Sequence, residues 1–127
     1  MGKPVSVKGE GVCFAFPDVC NTPSPSGTTP IPYPNVGQLG EVTGESATVR
    51  AGGKPIVHSD SSIPTTTGDE AGSASPTKGE VKFVRVSNTV FCDSGKGVVR
   101  MFDTTTQNGG NAVGVVLGGE PRVLVGD

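Results

Sequence analysis

The chain has no tryptophan, one tyrosine, five phenylalanines and a single histidine among 127 residues. Few stacking platforms for sugars or bases are therefore available. Basic runs are absent as well. Ten Lys and Arg against twelve Asp and Glu give a formal charge of −2, which provides no phosphate-tracking surface and argues against nucleic acid as a partner. No apolar run approaches the ~18 residues of a membrane span, and Met1–Gly11 lacks the apolar core of a signal peptide. The expectation is a protein made in the cytoplasm, any export using a route without a cleaved signal. Leucine and methionine are scarce (3 and 2) beside 19 valines and 3 isoleucines, a balance that favours strands over helices.

Breakers are abundant. With 20 glycines and 11 prolines, only 80–94 and 98–108 run for more than ten residues without one, so a helix of ordinary length has almost nowhere to sit. The length suits one domain. The fold class expected is all-β: a small single domain of short strands and hairpins with Pro/Gly-rich loops. Three cysteines, an odd number in a reducing compartment, argue against a disulfide framework.

Along the chain, 1–16 reads as a hairpin with Gly9-Glu10-Gly11 as its turn. Six prolines fall within 17–35. They fix φ and remove donors, so this segment is extended and cannot be a central strand. Phe14, Phe16, Val19, Ile31 and Tyr33 are apolar anchors that a solvated linker would not carry, and they suggest a rigid coat packed on a domain. TVRAGGKPIVH (48–58) and TVFCDSGKGVVR (89–100) share Thr-Val, then Gly-Lys, then an apolar-Val pair, each a strand–turn–strand unit. Lys8–Cys13 is a fainter third copy, so a pseudo-symmetric arrangement is expected. The polar stretch 59–79, carrying Asp69 and Glu70, reads as an ordered surface loop that lacks the alternating acidic oxygens of a calcium loop. Residues 112–127 read as a C-terminal β-hairpin across Gly118-Gly119. Phe83, Val84, Val86, Val98, Val99 and Ile56 are the core candidates.

PDVCNTPSPSGTTPIPYPN (17–35), TGDEAG (67–72) and the hairpin ending GKGVVRMFD, in that order, resemble the PAAR-like proteins. The resemblance runs from about Phe16 to Asn111. It implies a small β-structured cone that caps the spike of a type VI secretion system or related contractile injection machine. The base of such a cone sits on a trimeric VgrG β-helix, one tip per trimer, and the apex sharpens the spike for membrane puncture and effector delivery. Effector proteins are further partners, and the target membrane is met only mechanically. A zinc near the apex holds the converging loops together. Because the chain ends soon after the cone, it reads as a bare tip without its own toxin. A one-chain cap on a three-chain stalk needs three similar faces, and the hairpin repeat is a source for them.

Cys13, Cys20, Cys92 and His58 make up a three-cysteine, one-histidine set, a known structural zinc combination. Their spacing contains no two-residue-gap pair. The set also departs from the family site of three histidines and one cysteine. Cys20, inside PDVC, matches the family motif most directly, and Cys13 least. An enzyme would need a cysteine nucleophile with His58 as base and Asp60 or Asp69 as orienter. No nucleophile elbow, phosphate loop or zinc-protease helix accompanies them, so the expectation is a non-enzymatic protein. A secreted β-rich adhesin or ligand-binding module is the alternative.

Overall fold

The chain folds into short antiparallel strands, described for residues 2–9 and 11–127 by a computed structural model. In chain order they are β1 (Lys3–Val5), β2 (Val12–Ser24), β3 (Gly27–Gln38), β4 (Arg50–Ala51), β5 (Lys54–Pro55), β6 (Ser62–Ile63), β7 (Val81–Phe83), β8 (Phe91–Cys92), β9 (Lys96–Gly97), β10 (Thr104–Gln107), β11 (Ala112–Leu117) and β12 (Glu120–Val125). The helical pieces among the described residues are two 3-10 turns, Leu39–Glu41 and Asn108–Gly110. None is long and apolar enough to cross a membrane. The all-β expectation holds.

Both anticipated repeat units form, as β4–β5 and β8–β9. The third unit is not Lys8–Cys13. It is β1 paired with β12, and its halves lie more than a hundred residues apart in sequence. In each unit the residue opposite lysine is buried and small or apolar: Ala51 faces Lys54, Cys92 faces Lys96 and Val125 faces Lys3. The turn-proximal strand repeats in sequence as Gly2-Lys3-Pro4-Val5, Gly53-Lys54-Pro55-Ile56 and Gly95-Lys96-Gly97-Val98.

The three copies meet in a closed ring of backbone hydrogen bonds. The Ser6 N–H donates to the Val99 carbonyl (2.9 Å), Val99 to Val57 (2.9 Å) and Val57 to Ser6 (3.0 Å). Around this ring, Lys8 donates to Pro55, Ser59 to Gly97 and Met101 to Pro4. Three bridges complete the cycle: Val5 with Arg100, Val7 with Ile56, and His58 with Val98. Each copy thus makes the same contacts to the next, which defines a pseudo-threefold axis.

Alternation along this belt separates two cores. Val5, Val7, Ile56 and Val98 join Ala51, Cys92 and Val125 on one face. Val57 and Val99 point to the other, into a cluster with Cys13, Leu39, Val42, Ile63, Val81, Phe83 and Val116. That second core underlies the six-stranded sheet, ordered β3-β2-β11-β10-β7-β6.

The proline-rich segment is the outer part of the β2–β3 ribbon, extended as expected. Beyond Ala15 it pairs only with itself. Pro30, Pro32 and Pro34 recur every second residue on β3, so their missing donors all face the free edge and the ladder with β2 loses none. Of the five apolar anchors, Ile31 and Tyr33 are half-buried on the inward face, whereas the three on β2 are displaced by one residue. Phe14, Phe16 and Val19 are exposed, whereas Cys13, Ala15, Asp18, Cys20 and Asn35 turn inward.

Other expectations change too. Strands β1 and β2 do not pair, so 1–16 is not a hairpin, and Glu10 of its supposed turn lies outside the described residues. Likewise β11 and β12 do not form a hairpin, because β11 joins the large sheet and β12 completes the third repeat. Of the core candidates, Ile56, Phe83, Val98 and Val99 are buried and Val86 is partly so. Val84 is exposed, since the Val84 and Arg85 amides both turn to the Thr104 carbonyl and break the alternation after Phe83.

The last belt position of the third copy holds Arg100, fully buried against Asp103. Its Nε and Nη2 donate to the two carboxylate oxygens (2.9 and 2.7 Å), and Nη1 donates to the Gly126 carbonyl. Asp103→Asn leaves the buried guanidinium with only the exposed Asp127 carboxylate, 3.8 Å from Nη1, as counter-charge. The expected loss is about 3–5 kcal/mol, read as a lower urea midpoint. Adding Arg100→Met to Asp103→Asn should recover part of that loss.

Candidate functional site

Polar side chains are gathered where the β2–β3 ribbon leaves the sheet. The irregularity between Ala15 and Asp18 resets the register, so that Asp18 and Cys20 face inward opposite Tyr33 and Ile31. Asn35 on β3, Asp69 in the loop after β6, and Asn108 and Asn111 at the second 3-10 turn close around them. Asp18, Asn35 and Asp69 are fully buried.

Asp18 is the hub. Its Oδ1 accepts from Asn111 Nδ2 (2.6 Å), Asn108 Nδ2 (3.2 Å) and the Cys20 thiol (3.5 Å), and its Oδ2 accepts from Asn35 Nδ2 (3.2 Å). Asp69 accepts from Asn35 Nδ2 (3.2 Å) and from the Lys78 amide (3.1 Å). Asn35 is held in turn by Gln107, whose Nε2 donates to its Oδ1 (2.8 Å). Among the described residues no buried side-chain nitrogen or oxygen lacks a partner.

The two carboxyls shift in opposite directions. Burial, then the hydrogen bond with Asp18, pushes Asp69 up to about 6. Burial alone would raise Asp18 as well, but hydrogen bonds from Asp69, Asn111, Asn108 and Cys20 outweigh it and hold Asp18 below the usual range. Burial and then the Asp18 charge push the Cys20 thiol up to about 11, so it stays protonated.

The TGDEAG stretch explains itself here. Gly68, at φ +114, packs against the Pro34 carbonyl, and a Cβ on Gly72 would overlap the Cys20 Cβ. These two glycines let the loop press onto the ribbon. Asp69 between them is buried rather than on an ordered surface, while Glu70 is exposed and accepts from the Gly68 amide and the Thr67 hydroxyl.

The four anticipated metal ligands do not assemble. Cys13 lies in the core under the sheet, where burial raises it to about 12, and Cys92 lies in the core of the repeats. His58 sits in the belt: its Nδ1 accepts from the Asp60 amide (3.1 Å), and its Nε2 faces Asp93 at 3.8 Å. Burial and then the Lys96 charge lower its pKa, leaving it neutral at pH 7. With its Nδ1 lone pair taken by the Asp60 amide, neutral His58 carries its proton on Nε2, on the side of Asp93. Only Cys20 belongs to a ligand-rich group, with Asp18 and Asp69, all three ligand atoms within 4.8 Å of one another. That group could hold a metal ion. It offers one sulfur and two carboxylates, against the four ligands, mostly sulfur and nitrogen, of a closed tetrahedral zinc site, and its oxygens already have amide partners. Sequence reading missed Asp18, Asn35, Asn108 and Asn111; polar residues at the inward positions of a strand were the available signal.

Two outcomes follow from this geometry. Between pH 3.8 and about 6 the folded chain retains the Asp69 proton that the unfolded chain has lost, so stability falls as pH rises through that window. Asp69→Asn should remove the fall and raise stability at pH 7 by about 1–3 kcal/mol, read from urea midpoints across pH. A cluster that depends on a bound cation would behave oppositely, losing stability both on this substitution and on adding chelator. Gly72→Ala should cost about 1–3 kcal/mol through overpacking against Cys20, seen as a lower melting temperature.

Comparison with known proteins places the geometry in context. The family described as Toxin PAAR-like domain matches residues 11–114. The DNase toxin Tse7 of Pseudomonas aeruginosa is 41% identical over 106 residues, covering 74% of this chain and 27% of that protein. No solved structure matches. The expectation of a non-enzymatic protein is corrected by this finding, since a relative named for DNase activity shares the matched region. The exclusion of nucleic acid and the reading as a bare tip without a toxin lose their ground with it. By the extent of the family match, four-fifths of its length, the chain belongs to the Toxin PAAR-like family.

Proposed function

We propose that this chain is the tip module of a contractile injection machine of the type VI secretion kind. It seats one copy on the end of a trimeric VgrG-type spike and serves the delivery of a DNase-type toxin, exported from the cytoplasm with the spike. The observation that carries this reading is the pseudo-threefold belt. One hydrogen-bond pattern repeated three times around an axis of a single chain matches what a partner of three identical chains presents. The rigid, glycine- and proline-rich strands around the belt suit a part loaded by compression. The toxin role is supported by the family and by the DNase name of the relative. The loop-stapling task that the resemblance assigns to zinc falls here to the Asp18 network of hydrogen bonds.

The test is the native mass of the assembly formed with a VgrG-type trimer from the same host. One chain per trimer is the expected result. Three chains per trimer, or no assembly at low micromolar concentration, would overturn the reading.

A further inference from the structure

The pseudo-threefold axis also locates a surface. Ser46 Oγ accepts from the Thr48 and Val49 amides, and Ser87 Oγ accepts from the Thr89 and Val90 amides. Glu120 Oε1 takes the corresponding role toward the Arg122 amide. Val49, Val90 and Val123 therefore occupy equivalent positions, each three residues beyond its acceptor. Their exposures are 39%, 39% and 38%. Equivalence about the axis puts the three side chains at one height and one distance from it. They belong to the repeat hairpins, which pack in the core on the side of the belt away from the six-stranded sheet.

The neighbouring positions show what has been kept alike and what has not. The next residue is Arg50, Phe91 or Leu124, all exposed. The residue after that, buried, is Ala51, Cys92 or Val125. Folding thus tolerates divergence on both sides of the valine. Lysine is the other side chain kept in all three copies, as Lys3, Lys54 and Lys96. A half-exposed valine repeated three times, next to positions free to vary, is the pattern of a surface that meets the same partner feature three times.

Resting on the tip reading above, we propose that the ring of Val49, Val90 and Val123 is the docking face, and that its occupant is the end of a β-structured homotrimer. Each of the three chains would present one apolar site for a valine. Phe91 and Leu124 add apolar area to the ring, while Arg50 does so on the third side only through its aliphatic stem. The face is thus three-fold in its centre and asymmetric at its edge, and a single tip fixes one of three otherwise equal orientations.

The experiment compares binding of the full chain and six variants to a VgrG-type trimer. The triple variant Val49→Asp/Val90→Asp/Val123→Asp should lose at least a hundredfold in affinity, and each single variant should lose a similar tenfold or so. Val49→Thr/Val90→Thr/Val123→Thr keeps the shape and should lose less than the aspartates, which preserves a readout if the triple aspartate chain does not fold. Phe14→Ser/Val113→Ser, on the outer face of the large sheet, should bind as the parent does. Unchanged binding by a folded triple variant, or loss confined to the Phe14/Val113 variant, overturns this face and leaves the tip reading standing. A parent chain that binds no trimer overturns both.

Discussion

Everything in this fold hangs on three amide hydrogen bonds that form a closed cycle. Ser6, Val57 and Val99 each donate to the next and accept from the last, so no member of the ring has a free edge. The segments come from the beginning, middle and end of the chain, and no pair of them can form the cycle without the third. Once it closes, alternation assigns each side chain to one of two cores, and the three hairpins follow from the same register. Such contacts are long-range, so the loop entropy must be overcome before they form. The 11 prolines lower that cost by restricting the unfolded chain before folding begins, while the 20 glycines raise it.

The second constraint lies under the ribbon. A sheet edge that projects beyond its apolar core needs another source of cohesion, and here Asp18 gathers the amides of Asn35, Asn108 and Asn111. A network of this kind is stable only when complete. Placing Asp18 beside Asp69 works against it, and the repulsion shows in the proton that Asp69 keeps up to about pH 6. Hydrogen bonds tie the ribbon to the loop after β6 and to the second 3-10 turn.

The sequence discloses the composition-level features well. Strand class, extended proline segment and two of three hairpins were all legible, because breakers and β-branching act locally. The third repeat was not, since its halves stand at opposite ends and a search for contiguous copies passes over Gly2-Lys3-Pro4-Val5. The large aromatics misled for a similar reason: Phe14 and Phe16 look like anchors, but the phase of β2 is set by Cys13 and Ala15 packing beneath and by the register reset before Asp18. Cysteine counting failed because Cys13 and Cys92 serve as small apolar residues in separate cores. The carboxylate cluster draws on four distant segments, and only the three-dimensional fold brings them within reach of one another.

The split repeat has a mechanical corollary. In the pairing of β1 with β12, Lys3 lies opposite Val125, so the outward-leading ends of both strands stand side by side. Tension applied through those two ends opens the pair one rung at a time, from the outside inward, and each rung resists alone. A thrust along the axis meets all three copies at once and divides its load among them. The same architecture shares a push among three copies and meets a pull on the β1 and β12 ends with one pair, a directional asymmetry built into the split repeat.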